Sequence, residues 1–220
     1  MEAVIFDIDG TIVDSVDLHM KAWKAALEKF GKNISFDEIR PQIGKGEDQI
    51  ISVFFSKEEA EDVAEEIEKY RSNLFRNEYL PIVKAFPRVR QLFERIKQDH
   101  KVIELASSAK KDELEIYKRI AAIGDLVDFE TASNEAKRSK PFPDIFQAAL
   151  KKLDHIQPER VIAIGDTRYD AEAAAKANLR TVGFLSGGST EEELRQAGCV
   201  ALYRNPADLL ERYEESPLVK

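Results

Sequence analysis

The sequence is poor in everything that would take it out of an ordinary aqueous globule. One of its 220 residues, Cys199, is cysteine, so no internal disulfide can form. With no histidine near it in sequence to activate the thiol, Cys199 reads as a small buried apolar residue in a reducing compartment. No apolar run approaches the roughly 20 residues that a membrane-spanning helix needs. The first strand begins by residue 3, with no secretory signal ahead of it, and a cytoplasmic protein is expected. Positive charge is not in excess: 33 Lys and Arg stand against 41 Asp and Glu, a formal net charge of -8, so nothing draws the chain to a phosphate backbone and nucleic acid is not an expected partner. Internal repeats and a Gly/Ser-rich linker are also missing, which excludes a solenoid and a flexible tether.

What is present is a hydrophobic fraction of 43% with 34% charged residues, enough for a packed core of one large domain or a core with a smaller companion. Ala3-Val4-Ile5-Phe6 reads as a buried strand. Val16, Met20, Trp23, Leu27 and Phe30 then recur at steps of four and three, an amphipathic helix that stops near Gly31. Ser56-Lys57-Glu58-Glu59 has the form of a capping box ahead of the helical face Val63, Ile67, Tyr70 and Leu74. Residues 15–80 therefore look all helical.

From about residue 88 helix and strand alternate. A helix through Val89, Leu92, Phe93 and Ile96 leads to the strand Val102 to Ala106, and further strands are expected at 127–132, 161–164, 181–184 and near 200–202. Helices at 110–122, 144–153, 169–177 and 190–197 separate them. This is a βαβ pattern with a mostly parallel sheet. The economical arrangement is an α/β core of residues 1–14 and 81–220, with 15–80 inserted as a helical cap. No heptad seam stands out, and a monomer is expected.

In open parallel sheets ligands sit at the carboxyl ends of strands. The first strand ends in Asp7-Ile8-Asp9-Gly10-Thr11, where alternation turns both carboxylates to one side and Gly10 allows a sharp turn. The strand at 102–106 ends in Ser107-Ser108. That at 161–164 ends in Gly165-Asp166, with Asp170 four residues on, and Ser139-Lys140-Pro141-Phe142-Pro143 brings a lysine on a proline-stiffened loop. Singly, each has a plain explanation as a turn, a helix cap or a solvated lysine. Together they make a site for a hard divalent cation beside a phosphate, which points to phosphoryl transfer.

These four motifs, in this order, resemble the haloacid dehalogenase superfamily, in its branch of magnesium-dependent phosphatases with a helical cap after the first strand. The resemblance implies a Rossmann-like, three-layer core with an all-helical cap, a Mg2+ cofactor and a small phosphorylated metabolite as substrate. It implies that Asp7 is the nucleophile and Asp9 the acid and base; that Asp7, the main-chain carbonyl of Asp9, and Asp166 hold the metal; and that Asp170 orients metal-bound water. Thr11, Ser107, Ser108 and Lys140 would bind phosphate. Asp9 argues against dehalogenation, which does without a second acid. In the inserted segment His19 and Lys45, the latter in Gly44-Lys45-Gly46, are candidates for substrate selection, with a helix-edge histidine and a solvated lysine as the plain alternatives; Trp23 reads as core. A phosphatase for phosphoglycolate or a sugar phosphate is the leading expectation. A phosphomutase like β-phosphoglucomutase and a non-catalytic metabolite-binding protein are the rivals.

Overall fold

A computed structural model describes residues 1–219. In chain order its elements are β1 (Ala3–Phe6), β2 (Val13–Asp14), α1 (Val16–Lys29), α2 (Phe36–Ile39), α3 (Glu47–Phe54), α4 (Lys57–Leu74), β3 (Lys84–Ala85), α5 (Val89–Gln98), β4 (Val102–Ala106), α6 (Lys111–Ala121), β5 (Phe129–Thr131), α7 (Asp144–Lys152), β6 (Val161–Gly165), α8 (Arg168–Lys176), β7 (Arg180–Phe184), α9 (Glu191–Gln196), β8 (Ala201–Tyr203) and α10 (Pro206–Glu211). The main sheet runs β5-β4-β1-β6-β7-β8 and is parallel throughout.

β1 lies between β4 and β6, with Phe6 opposite both Leu105 and Ile164. The residues that follow these three strands are therefore neighbours at one edge. The strands read as unbroken apolar runs because both faces are covered. Ala3 and Ile5 join Ile145, Phe146, Ala149, Ala173 and Ala174 on the side of α7 and α8. Val4 and Phe6 turn the other way, where the Phe6 ring meets Phe93 of α5 at 4.6 Å between centroids. Helices on both faces give the three-layer α/β core that the family resemblance implies, around the parallel sheet that the sequence pattern predicts.

The chain divides into two compact units, residues 1–14 with 84–220, and residues 15–83. The second joint lies after Val83 rather than at the expected Leu80-Pro81, because Leu80–Ile82 coils into a further short turn of the helical unit. Inside the sheet unit β2 and β3 pair antiparallel, Val13 with Ala85 and Asp14 with Lys84, at the points where the chain leaves and returns. The helical unit packs Met20, Trp23, Leu27, Ile39, Ile50, Ile51 and Ile67 into its own core, as the spacing in α1 predicts. The Ser56–Glu59 capping box starts α4, and the helix runs on through a wider turn over Phe75–Tyr79.

One sequence expectation is trimmed and one helix is added. β5 covers only 129–131 of the expected 127–132, because the Asp128 side chain accepts from the Ile103 amide at 2.8 Å and takes the place of a ladder partner. The α10 helix was not read from the sequence, although Asn205 caps it and Pro206 fills its first position. Asn178 holds the left-handed conformation, φ 62°, that ends α8. Cys199 is buried, and burial pushes its thiol up to about 12, which suits an inert apolar role. Among the described residues no helix is long and apolar enough to cross a membrane.

Candidate active site

The turn after β1 is built on one carbonyl. The amides of Thr11, Ile12 and Val13 all point at the Ile8 oxygen, at 3.1, 2.7 and 3.1 Å, and Gly10 closes the turn at φ 78°, where a side chain is disfavoured. This tight loop fixes Asp7, whose own amide bonds the Ile164 carbonyl of β6 at 2.9 Å. Asp7, Asp166 and Asp170 come together, each offering a carboxylate oxygen, the three atoms within 4.8 Å of one another. Lys140 reaches the same point from the loop before α7. Its Nζ donates to Asp7 Oδ1 at 2.5 Å and to Asp170 Oδ1 at 2.6 Å.

Asp166 and Asp170 are not equivalent. Both Asp170 oxygens are engaged: Oδ1 accepts from Lys140, and Oδ2 closes a capping box with the Thr167 hydroxyl at 2.6 Å and amide at 3.0 Å. Asp166 Oδ1 accepts from the Thr11 hydroxyl at 2.9 Å, while Oδ2, fully buried, has no hydrogen-bond partner. A buried carboxylate oxygen left in this state costs about 1–3 kcal/mol or more unless something occupies it.

The electrostatics agree. Two ionised carboxylates no more than 4.8 Å apart repel by at least about 3 kcal/mol at an effective dielectric constant of about 20, and three acids here face one lysine. Burial, with the repulsion of Asp170 and Asp7, pushes the Asp166 carboxyl well above its ordinary range; burial also raises Asp7, against the pull of Lys140. Lys140 is held firmly charged, because the two carboxylates outweigh its own burial. The group has room for a further positive charge and the oxygen ligands to bind it, which fits a hard divalent cation.

Ser107 is buried at the end of β4. Its amide donates to the Thr131 carbonyl at 3.0 Å, and its Oγ accepts from the Ala109 amide at 3.0 Å. Ser108 beside it is exposed, and Asp9 is half-buried. Thr11 departs from the expected role of phosphate ligand. Its side chain is fully buried and its hydroxyl committed to Asp166, so it orients that carboxylate and does not present its hydroxyl to phosphate. In the helical unit, His19 stacks on Phe75 with centroids 3.9 Å apart and 6° between planes, and Lys45 donates to Gln42 Oε1 at 2.7 Å. Trp23 is buried in that unit's core.

Three contributors were missed in the sequence. Thr167 holds Asp170, as just described. Gly187 passes so close to Asp166 that a Cβ there would stand 1.5 Å from Oδ2. Ser186 donates to the Gly10 carbonyl at 2.7 Å and ties the turn after β7 to the turn after β1. The signal was available: Ser186-Gly187-Gly188 closely follows the end of a strand, where the same rule that found Ser107 and Asp166 applies.

Residues 4–184 match the family described as haloacid dehalogenase-like hydrolase. A phosphorylated carbohydrates phosphatase of Thermotoga maritima is 29% identical over 217 residues, 98% of this chain and 99% of that protein. The β-phosphoglucomutase of Bacillus subtilis is 31% identical over 196 residues, 85% of this chain and 84% of its own. A hydrolase from Pseudomonas syringae of known crystal structure superposes with a TM-score of 0.84 at 28% identity, over 98% of this chain and 99% of that one. On these matches and on the strand-end residues they enclose, the chain belongs to the haloacid dehalogenase-like hydrolases.

Proposed function

We propose that this hydrolase is a magnesium-dependent phosphatase that releases phosphate from a small phosphorylated metabolite, of the sugar phosphate or phosphoglycolate type, through an aspartyl-phosphate intermediate. The observation that carries the reading is the buried, unpartnered Oδ2 of Asp166 in a group of three carboxylates balanced by one lysine. Such a group calls for a cation or a shared proton, and a cation and the lysine together would offset the charge of a phosphoryl group while the hydroxyl binds one of its oxygens. Asp7, the main-chain carbonyl of Asp9, and Asp166 would hold the magnesium ion, which would offset the charge of the phosphoryl oxygens.

Asp7, its carboxylate fixed by Lys140, attacks phosphorus. The bond from phosphorus to the leaving oxygen breaks, and Asp9 gives that oxygen a proton. Asp9, now a carboxylate, takes a proton from the water that attacks the aspartyl phosphate, which frees inorganic phosphate and restores Asp7. Ser107, the main-chain amide after it, and Lys140 grip the phosphoryl oxygens. Asp170, expected from the resemblance to orient metal-bound water, has both oxygens bonded to Lys140 and Thr167, and the role proposed for it here is to set the direction of the Lys140 ammonium. Asp9 is what separates this chemistry from dehalogenation, which needs no second acid. His19 and Lys45 are the side chains of the helical unit proposed to select the substrate.

The relative that acts on phosphorylated carbohydrates supports a sugar phosphate as the substrate class. The relative named β-phosphoglucomutase favours a second reading, in which the phosphoryl group passes from Asp7 to a sugar hydroxyl. Isomerisation of a hexose phosphate that requires a bisphosphate primer would decide for it. Phosphate release from a panel of phosphorylated metabolites with magnesium tests the first reading. Turnover is expected in the wild type and a fall of more than about 1000-fold in Asp7→Asn; full activity in that variant would sink the mechanism.

A further inference from the structure

In the middle of β4 stands a second acid for which the proposed reaction has no use. Glu104 is fully buried, opposite Ile5 of β1. Val102 and Ala106, which share its face of the strand, pack with Ile145, Phe146 and Ala149. Its Oε1 accepts from the Thr131 hydroxyl at 2.7 Å, and its Oε2 is buried with no hydrogen-bond partner. A glutamate is a poor filler for an apolar strand, so its one bond has to account for its presence.

That bond leads to the site. Thr131 is the last residue of β5, a strand of three residues at the edge of the sheet, and it lies one diagonal step from Glu104 in the β4–β5 register. So short an edge strand has few ladder bonds to hold its end. The Thr131 carbonyl accepts the Ser107 amide at 3.0 Å, and the Ala109 carbonyl accepts the Ser133 amide at 3.0 Å, so the turn carrying Ser107 and the end of β5 are bonded to each other. We propose that Glu104 is a positioning residue for the Ser107 turn: by holding the Thr131 side chain it fixes the carbonyl that aims the Ser107 amide. The catalytic part of this rests on Ser107 gripping phosphate as read above; the structural part stands by itself.

The charge state follows from the neighbours. The charged groups facing Glu104 are Lys152 at the end of α7 and Glu135 in the turn after β5. Lys152 is already paired with Glu135 at 2.7 Å and bonded to the Glu130 carbonyl, so it is a weak counter-ion for Glu104. Burial pushes the Glu104 carboxyl up to about 7. Because the folded value lies above the unfolded one, the stability that neutral Glu104 contributes is complete below about pH 4.5 and is lost as pH rises through about 7.

The deciding measurement is hydrogen exchange at the Ser107 amide in the full chain, read as a protection factor, beside KM and kcat for phosphate release. In Thr131→Val protection at Ser107 is expected to fall at least about fivefold, the factor that one net hydrogen bond is worth, with KM rising more than kcat falls, and Thr131→Ser is expected to restore both. Glu104→Gln, which keeps an acceptor oxygen, is expected to hold protection at Ser107 near the wild-type value, and Glu104→Leu, which keeps none, to lower it about as far as Thr131→Val does. Unchanged protection in Thr131→Val, a Thr131→Ser variant as defective as Thr131→Val, or full protection in Glu104→Leu would each overturn the proposal. Absence of any phosphate release from the wild type would defeat the phosphatase reading, while the exchange result still decides for or against Glu104.

Discussion

Asp166 shows how a single residue can be half structural and half functional. One oxygen is fastened by Thr11, and the other is buried and unsatisfied beside a glycine that leaves it room. Gly187→Ala would put a methyl group where that oxygen now lies, 1.5 Å away, and force the carboxylate aside. Phosphate release is expected to fall by roughly 10- to 100-fold, the usual cost of disturbing a ligand through its surroundings, and the midpoint of urea unfolding measured without metal is expected to fall as well, since the added carbon also meets Asp166 Cγ and Cβ at 2.3 and 2.7 Å in a buried site. An unchanged rate in Gly187→Ala would mean that Asp166 does not act in its present position. Asp7, Asp9, Ser107 and Asp166 stand out in the sequence as candidates because each closely follows an apolar run, Asp170 because it comes four residues after Asp166, and Lys140 because it opens a proline-stiffened turn; position along a strand is a local property. Thr11's bond to Asp166 was not legible, since a hydroxyl's partner 155 residues away is settled by packing.

At the scale of elements, local pattern was a good guide wherever an element spans a full period of it. The parallel strands were found because burial on both faces leaves an apolar run, and the long helices because 14 residues in α1 or 18 in α4 repeat the helical stripe several times. Pieces of two to four residues, such as β2, β3 and α2, are too short to show a period. The end of α5 adds a tie that pattern cannot reveal. Asp99, just past its last turn, accepts from Lys101 Nζ at 2.7 Å, from the Tyr213 hydroxyl at 3.0 Å, and from Arg95, which also pairs with Glu214 at 2.6 Å. Lys101 and Arg95 hold the Asp99 carboxyl well below its ordinary range. A depressed folded value contributes stability above the unfolded one, about 3.9, and loses it as pH falls. Asp99→Asn is therefore expected to lower the melting temperature at pH 7 by about 2–4 °C, as for a loss of about 1 kcal/mol in a chain of this size, with the difference from wild type shrinking below about pH 4. A gap that persists into acid would show that the ion pairs are not its source.

For the molecule as a whole, a cation held by the carboxylate group as proposed would make stability depend on that cation. A ligand that binds only the folded state at 100 times its dissociation constant adds about 2.7 kcal/mol, so magnesium is expected to raise the melting temperature of the wild type by about 5–10 °C and to leave Asp166→Asn almost unmoved. Since Asp7 and Asp166 are both raised, protons compete with the metal, and the magnesium shift should grow as pH rises. A shift of equal size in Asp166→Asn would place the ion elsewhere. The sequence by itself determined the alternation of strand and helix, the helical segment set into it, and the acids, hydroxyl and lysine at the strand ends, because strand burial, helical period and turn chemistry act over a few residues. Tertiary structure alone decided that Asp166 keeps an open oxygen while Asp170 keeps none, that Gly187 makes the space, and that Glu104 reaches Ser107 through Thr131. Those are matters of which atoms fill the same few ångströms, and residues far apart in the chain compete for that space only once the sheet has brought its strand ends together.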